Sequence, residues 1–319
     1  MSERWRNRIG WLAVLSSTAI AGLWAFWGGI ENFHEGWYHA SLWRNIGMMF
    51  GQYLMPALLF MAMSATALRL PRVGALLHVA AAIFVAWFFR GATVVVVYGF
   101  LVTPLLLMAA GYAFGRPRPR RWAYRIAIGV PLLVLIASAA EPAWRVAHRI
   151  DDGLRGERRI TQNGIDLRWA PAGPGWPDNR VSWHEARRRC AHLSLDATRL
   201  EDSARHYWRL PSIDEAVRSM QRGGENSGGR WRAGENTVHF ERTPDKETPL
   251  WNPRGKVIYW WTANEVDSAN AWIIVYDGKI WPRPKRAYWG YLGFRAVRTP
   301  GTNATVRRDS LPTNDKHQE

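Results

Sequence analysis

Apolar positions fall into two regimes along the chain. Up to Ala143 they gather into long runs, and beyond it they occur as short alternations and i, i+3, i+4 stripes broken by Gly and Pro. The runs 10–30, 46–68, 73–89, 93–114 and 124–140 each approach the roughly 20 residues a spanning helix needs, which predicts a membrane domain over 1–143 with about five transmembrane helices. Pro56, Pro104 and Pro131 lie inside three of them, which helices in lipid tolerate because neighbours re-satisfy the freed carbonyls. A cleaved signal peptide competes for the first run. That run is long, rich in Trp and lacks a small-residue cleavage site, so a retained helix is favoured.

After a charged connector at 144–160, the period changes. Ile165, Leu167 and Trp169 alternate as in a strand. Ser182 and Glu185 have capping-box spacing and open a helix with Trp183, Ala186, Cys190 and Leu193 on its inner face and Arg187, Arg188 and Arg189 outside. The segment Tyr207–Met220, YWRLPSIDEAVRSM, is the best punctuated. Trp208 and Leu210 alternate with Arg209, Pro211 stops the strand, Ser212 and Glu215 repeat the capping box, and Ile213, Ala216, Val217 and Met220 share one helical face. Residues 223–255 form a loop-rich insert without a period, where His239, Glu241 and Asp245 have no ligand spacing. Strands follow at 257–261 and 271–276, Asp277-Gly278 marks a hairpin returning through 279–281, and a last strand is expected at 293–298. The polar tail, 300–319, is expected to be disordered.

Charge changes the picture once it is divided. Of the net +16, residues 1–150 hold 14 Arg against 4 Glu, and the remainder contributes only +6. Arg4, Arg6 and Arg8 precede the first run; Arg69 and Arg72 fill the second loop; Arg116, Arg118, Arg120, Arg121 and Arg125 fill the fourth. The first and third loops hold only Arg44 and Arg90, so the positive-inside rule predicts a cytoplasmic N-terminus and, after five spans, a C-terminal domain outside the cytoplasm. Fusing 73–114 into one span would put that domain inside, against the alternation of Arg. No basic reading helix accompanies the charge, so nucleic acid is not an expected partner. The single cysteine, Cys190, excludes an internal disulfide and two-cysteine redox chemistry.

Chemistry could reside in two places. Glu31, His34, Glu35 and His39 follow the first run, and if the helix continues they pair at i, i+3 and i, i+4, a spacing suited to a divalent metal such as iron or manganese, or to proton handling. The alternative is an interfacial belt, with Trp37, Tyr38 and Trp43 at headgroup depth. Trp281, Arg283, Lys285 and Arg286 form the second place, a Pro-interrupted cationic and aromatic edge for an anionic ligand. Calcium at Asn264, Glu265 and Asp267 is allowed by their oxygens but has no loop motif behind it.

The ordered blocks GIDLRWA, VSWHEARRRCAHL, YWRLPSIDEAVRSM, YWWTANEVDSANAWIIVYDGKI and YLGFRAVR, spanning about 160–300, resemble the DUF1566 or Lcl C-terminal domain family, itself related in fold to sulfatase-modifying, formylglycine-generating domains. The resemblance implies a C-type-lectin-like α+β domain over 161–299. Many members pair a first-helix cysteine with one in the last strand; here Cys190 keeps the first place and Ala296 takes the second, so that bridge cannot form. Formylglycine-generating chemistry needs paired cysteines and is not expected. The expected protein is therefore a bacterial inner-membrane protein, non-enzymatic, presenting a ligand-binding domain to an envelope glycan or protein partner. The rival expectation is a membrane-embedded metal-dependent or proton-handling enzyme built on Glu31, His34, Glu35 and His39.

Overall fold

The computed structural model describes residues 1–301, and the chain divides after His148 into two compact units. The expected tail beyond 301 lies outside the described residues.

The first unit is helical: α1 (Glu3–His34), α2 (Leu42–Tyr53), α3 (Met55–Arg69), α4 (Pro71–Phe88), α5 (Val94–Phe114) and α6 (Arg120–Ala147). Helices α1, α4, α5 and α6 are each long and apolar enough to cross a membrane. The run 46–68 is broken at Leu54, where α2 and α3 bend by 63°; taken together the pair is long and apolar enough for a broken span, which would make five. Proline explains the break. Pro56 occupies the first turn of α3, where its missing N–H costs no intrahelical bond, so the chain starts a new helix rather than carrying the proline inside an old one. Pro104 and Pro131 are absorbed differently, each separated by one residue from a preceding π-helical stretch, 97–102 and 125–129, whose wider turn shifts the backbone pairing ahead of the ring.

Helix α1 is the hub of this unit and packs against α3, α5 and α6. Its buried face is made of small residues, including Gly10, Ala13, Ser17, Ala21 and Gly28, which let backbones approach closely. Large side chains such as Leu12, Leu23, Leu76, Phe100 and Leu133 point outward instead. A surface this apolar suits contact with lipid.

The second unit begins at Arg149, within the stretch 144–160 expected to connect the two halves. Residues to Ala147 complete α6, Arg149 pairs with buried Asp245 at 2.9 Å, and Arg158–Ile160 is already a strand. The unit is α+β, with three small sheets among the described residues. Strands β1 (Arg158–Ile160), β2 (Leu167–Trp169) and β9 (Val297–Arg298) form an antiparallel sheet with β2 in the centre. A two-stranded ribbon joins β3 (Gln221–Arg222) and β4 (Glu225–Asn226), and β7-β6-β5-β8 form the largest sheet from β5 (Tyr259–Glu265), β6 (Asn270–Val275), β7 (Ile280–Pro284) and β8 (Leu292–Gly293). The single strand expected over 293–298 is thus two. Leu292–Gly293 runs parallel to β5, and Val297–Arg298 runs antiparallel to β2 in a different sheet.

Among the described residues, two helices sit in this unit, α7 (Trp183–His192) and α8 (Ile213–Ser219). Both expected N-caps are present. Ser212 and Glu215 close a reciprocal capping box, whereas at α7 only the serine half forms, because Arg188 and Arg189 hold the Glu185 carboxylate. Tryptophans fill the core, and three of them place their N–H groups on backbone carbonyls: Trp183 on Thr262 at 2.9 Å, Trp261 on Val181 at 2.8 Å and Trp208 on Ser194 at 3.0 Å, whereas the buried N–H groups of Trp169 and Trp251 have no hydrogen-bond partner among the described residues. Trp251 and Trp260 stack 3.6 Å apart. Arg295 is also fully buried; it donates to the carbonyls of Ala170, Pro249 and Leu250 and lies over the Trp176 ring.

Candidate functional site

In the first unit, Glu31, His34 and Glu35 do converge, with one ligand atom from each within 4.8 Å of the others and all three half-buried. His34 Nδ1 lies 3.5 Å from a Glu31 carboxylate oxygen. The group sits on the last turn of a 32-residue helix, where unsatisfied carbonyls and the negative end of the macrodipole both favour a cation. Two carboxylates and one imidazole would suit manganese, iron or zinc.

His39, the fourth expected member, does not join the other three. The helix ends at His34, Trp37 adopts a left-handed φ of 55°, and the Asn45 side-chain amide fixes the His39 backbone, its oxygen accepting from the His39 N–H and its nitrogen donating to the His39 carbonyl, both at 2.9 Å. The i, i+4 pairing of Glu35 with His39 required a helix that stops too early to provide it. His78 also stands outside the group: it is fully buried on α4, with Nδ1 on the Gly74 carbonyl at 2.7 Å and its ring against Tyr112.

In the second unit, the expected cationic edge divides in two. Trp281 and Arg286 are exposed, and Arg283 lies over the ring of exposed Trp289 at 5.4 Å. Lys285 is not part of any open edge, being only 4% exposed, because its ammonium binds the Glu265 carboxylate and the carbonyls of Asp267 and Ser268 and sits over the Trp183 ring. This arrangement also disposes of calcium at these residues, since the lysine already occupies the place a cation would take. The hydrogen bond from Lys285 is the leading reason that the Glu265 carboxyl titrates below its usual range. Asn264 spends its side-chain oxygen on the Ile213 N–H, and Asp267 caps its own turn at Ala269 and Asn270.

Of the Trp residues on these strands, Trp260 and Trp261 are core, Trp272 is half-buried, and only Trp281 and Trp289 offer open faces. Trp281 lines a groove of about 440 Å³ with Phe240, Asn236, Thr237, Asp277 and Lys279. The groove pairs aromatic and aliphatic walls with amide, hydroxyl and carboxylate groups, a lining suited to a polyhydroxylated ligand more than to an anion, because Lys279 is already paired with Asp277 at 2.8 Å. Half of this lining comes from the insert 223–255. Nothing in that insert's own spacing marked it, because it is brought to Trp281 by Phe240 packing on the Asp277-Gly278 turn.

The same insert hides a charged core. Asp245 and Glu247 are buried and both take Arg222, while Asp245 also takes Arg149. Between them in sequence, Lys246 is buried with its ammonium on the Gly255 carbonyl; burial, reinforced by Arg149, pushes its pKa down to about 7. Burial likewise pushes the Cys190 thiol up, away from nucleophilic chemistry.

No family model, curated protein or solved structure matches the chain.

Proposed function

We propose that the protein is a membrane-anchored binding module, non-enzymatic, whose second unit holds a ligand in the Trp281 groove outside the cytoplasm of a bacterial cell. The observation that carries this reading is the groove itself: an open aromatic face at Trp281 beside Asn236, Thr237 and Asp277, in a unit whose one cysteine is buried. Envelope glycan is the ligand class that such a lining fits, by ring stacking with flanking hydrogen bonds. The resemblance of 161–299 to Lcl-type, C-type-lectin-like domains supports the same reading, as does the α+β layout with its small sheets. Alternation of loop arginines supports an inner-membrane location with the N-terminus inside. Full-length protein in detergent should bind immobilised envelope polysaccharide, and Trp281→Ala should weaken binding about tenfold, the scale of one aromatic contact. Unchanged retention in Trp281→Ala and in Asn236→Ala would refute the site. Protease cleavage after residue 150 in intact spheroplasts tests the orientation separately.

A second reading is favoured by the convergence of Glu31, His34 and Glu35: a divalent-metal centre in the first unit. Metal content of purified protein should fall in His34→Ala and Glu31→Gln. Equal and negligible iron, manganese and zinc in all three proteins would end it.

A further inference from the structure

The arginines of the N-terminus and of the 115–125 segment belong to separate stretches of sequence, and loop charge alone would leave them apart. The fold brings them together through backbone contacts. Arg116 N–H donates to the Arg6 carbonyl at 2.7 Å, Arg118 N–H to Asn7 Oδ1 at 2.7 Å, and Trp11 Nε1 to the Arg118 carbonyl at 3.0 Å. Glycine is required on both sides of this seam: a Cβ at Gly10 would lie 2.5 Å from the Pro117 nitrogen, and one at Gly115 would lie 2.4 Å from the Gly10 nitrogen.

The result is a concave site of about 380 Å³ lined by Arg4, Arg6, Arg116, Arg118, Asn7 and Glu3. One acid faces four guanidinium groups, and that acid, Glu3, reaches only Arg118, at 3.4 Å between two exposed side chains. Arg116 is steadied by the carbonyls of Tyr112, Ala113 and Gly115, which end α5. Its guanidinium pKa is lowered, first by desolvation and then by the charges of Arg6, Arg120 and Arg72. The positive-inside rule asks only for arginine in a loop. It does not ask for a pocket in which arginines from two segments are held facing one another, an arrangement that is unfavourable until an anion fills it.

We propose that this pocket binds the phosphate of an anionic phospholipid headgroup at the bilayer surface. Guanidinium groups match phosphate oxygens in paired hydrogen bonds, and the Asn7 amide adds a neutral donor. The site lies beside the end of α5 and the start of α1, two of the helices long enough to span, so a headgroup would enter it from its own leaflet. The inference rests on the first unit being embedded in a membrane, and carbonate washing of cell membranes tests that premise alone.

The test is native mass spectrometry of the full-length protein, titrated in detergent with phosphatidic acid or with phosphatidylcholine. Wild type should retain phosphatidic acid at least tenfold more strongly. Arg4→Gln/Arg6→Gln/Arg118→Gln should lose that preference, while Arg121→Gln/Arg125→Gln, which removes charge from the same segment outside the pocket, should keep it. Arg118→Gln alone, at an exposed position, should give a partial loss if the triple variant proves poorly folded. Equal loss in the Arg121/Arg125 control would show diffuse attraction and overturn the proposal, as would an unchanged preference in both pocket variants. Displacement of bound lipid by millimolar inorganic phosphate would overturn the lipid as the source and leave a site for the free ion.

Discussion

Lys246 offers a sharp test of how the second unit is assembled. Its pKa is pushed from 10.5 to about 7, first by burial and then by Arg149, against the weaker pull of Asp178 and Asp245. In the unfolded chain the same amine holds its proton until about pH 10.4, so between roughly pH 7 and 10 the unfolded state binds more protons than the folded one. Stability contributed by this group must therefore rise with pH across that window, and its charged form is a burden at and below pH 7. At about 1.4 kcal/mol per pKa unit, the burden is on the order of 5 kcal/mol. Lys246→Met keeps the length and removes the charge, but leaves the Gly255 carbonyl without its donor, a cost of about 1 kcal/mol. The variant should be more stable than wild type by about 4 kcal/mol at pH 6, with the advantage gone by pH 10. Cys190 makes this measurable in the full-length protein. It is the only cysteine and is buried in the second unit, so pulse labelling with a methanethiosulfonate reagent in urea, normalised to the unfolded chain at each pH, reports opening of that unit alone. Parallel stability curves for the two proteins between pH 6 and 10 would refute the reasoning.

The same labelling reads three further changes. Ser212→Ala removes one half of the capping box of α8 and should cost about 1 kcal/mol; no change would mean the α8 terminus is held by other contacts. Burial opposes ionisation of Glu215, but Arg209 and the Ser212 N–H outweigh it and hold the carboxyl below its ordinary range. Its contribution is thus fully present above about pH 4.5 and is lost as pH falls through the lowered value, so Glu215→Gln should flatten the acid limb of the stability profile. An acid limb of unaltered steepness would assign acid loss to other carboxylates. Gly278→Ala places a Cβ 2.2 Å from the Phe240 ring at a φ of +87°, and should destabilise by more than about 1 kcal/mol while opening the Trp281 groove. A loss of polysaccharide binding without loss of stability would instead mean that Phe240 contacts ligand directly.

Local punctuation made part of this architecture legible in the sequence. Ser212 with Glu215, the Asp277-Gly278 turn and the stripe Trp183, Ala186, Cys190 are decided within a few residues, and each appears where the spacing places it. What escaped depended on partners distant in the chain. Lys285 read as an exposed cation because its neighbours Arg283 and Arg286 are polar and Pro-flanked, but Glu265 and Trp183 draw it inward. Gly293–Arg298 read as one strand, and two different sheets claim its ends. Glu31, His34 and Glu35 were visible because one helix turn sets their spacing, whereas His39 was misplaced by assuming that the turn continued through Gly36. The arginine pocket depended on a seam between Gly10 and Gly115, which no local period encodes.

The central position of β2 has a consequence for biosynthesis. Its outer neighbour β1 is made immediately before it, but its other neighbour, β9, comes from 297–298, and β8 joins the large sheet from 292–293. Neither sheet can be completed by a growing chain until those residues have left the ribosome. On a route to the far side of a membrane, the second unit would accordingly be threaded through as an open chain and acquire its protease resistance only after the last strand has crossed.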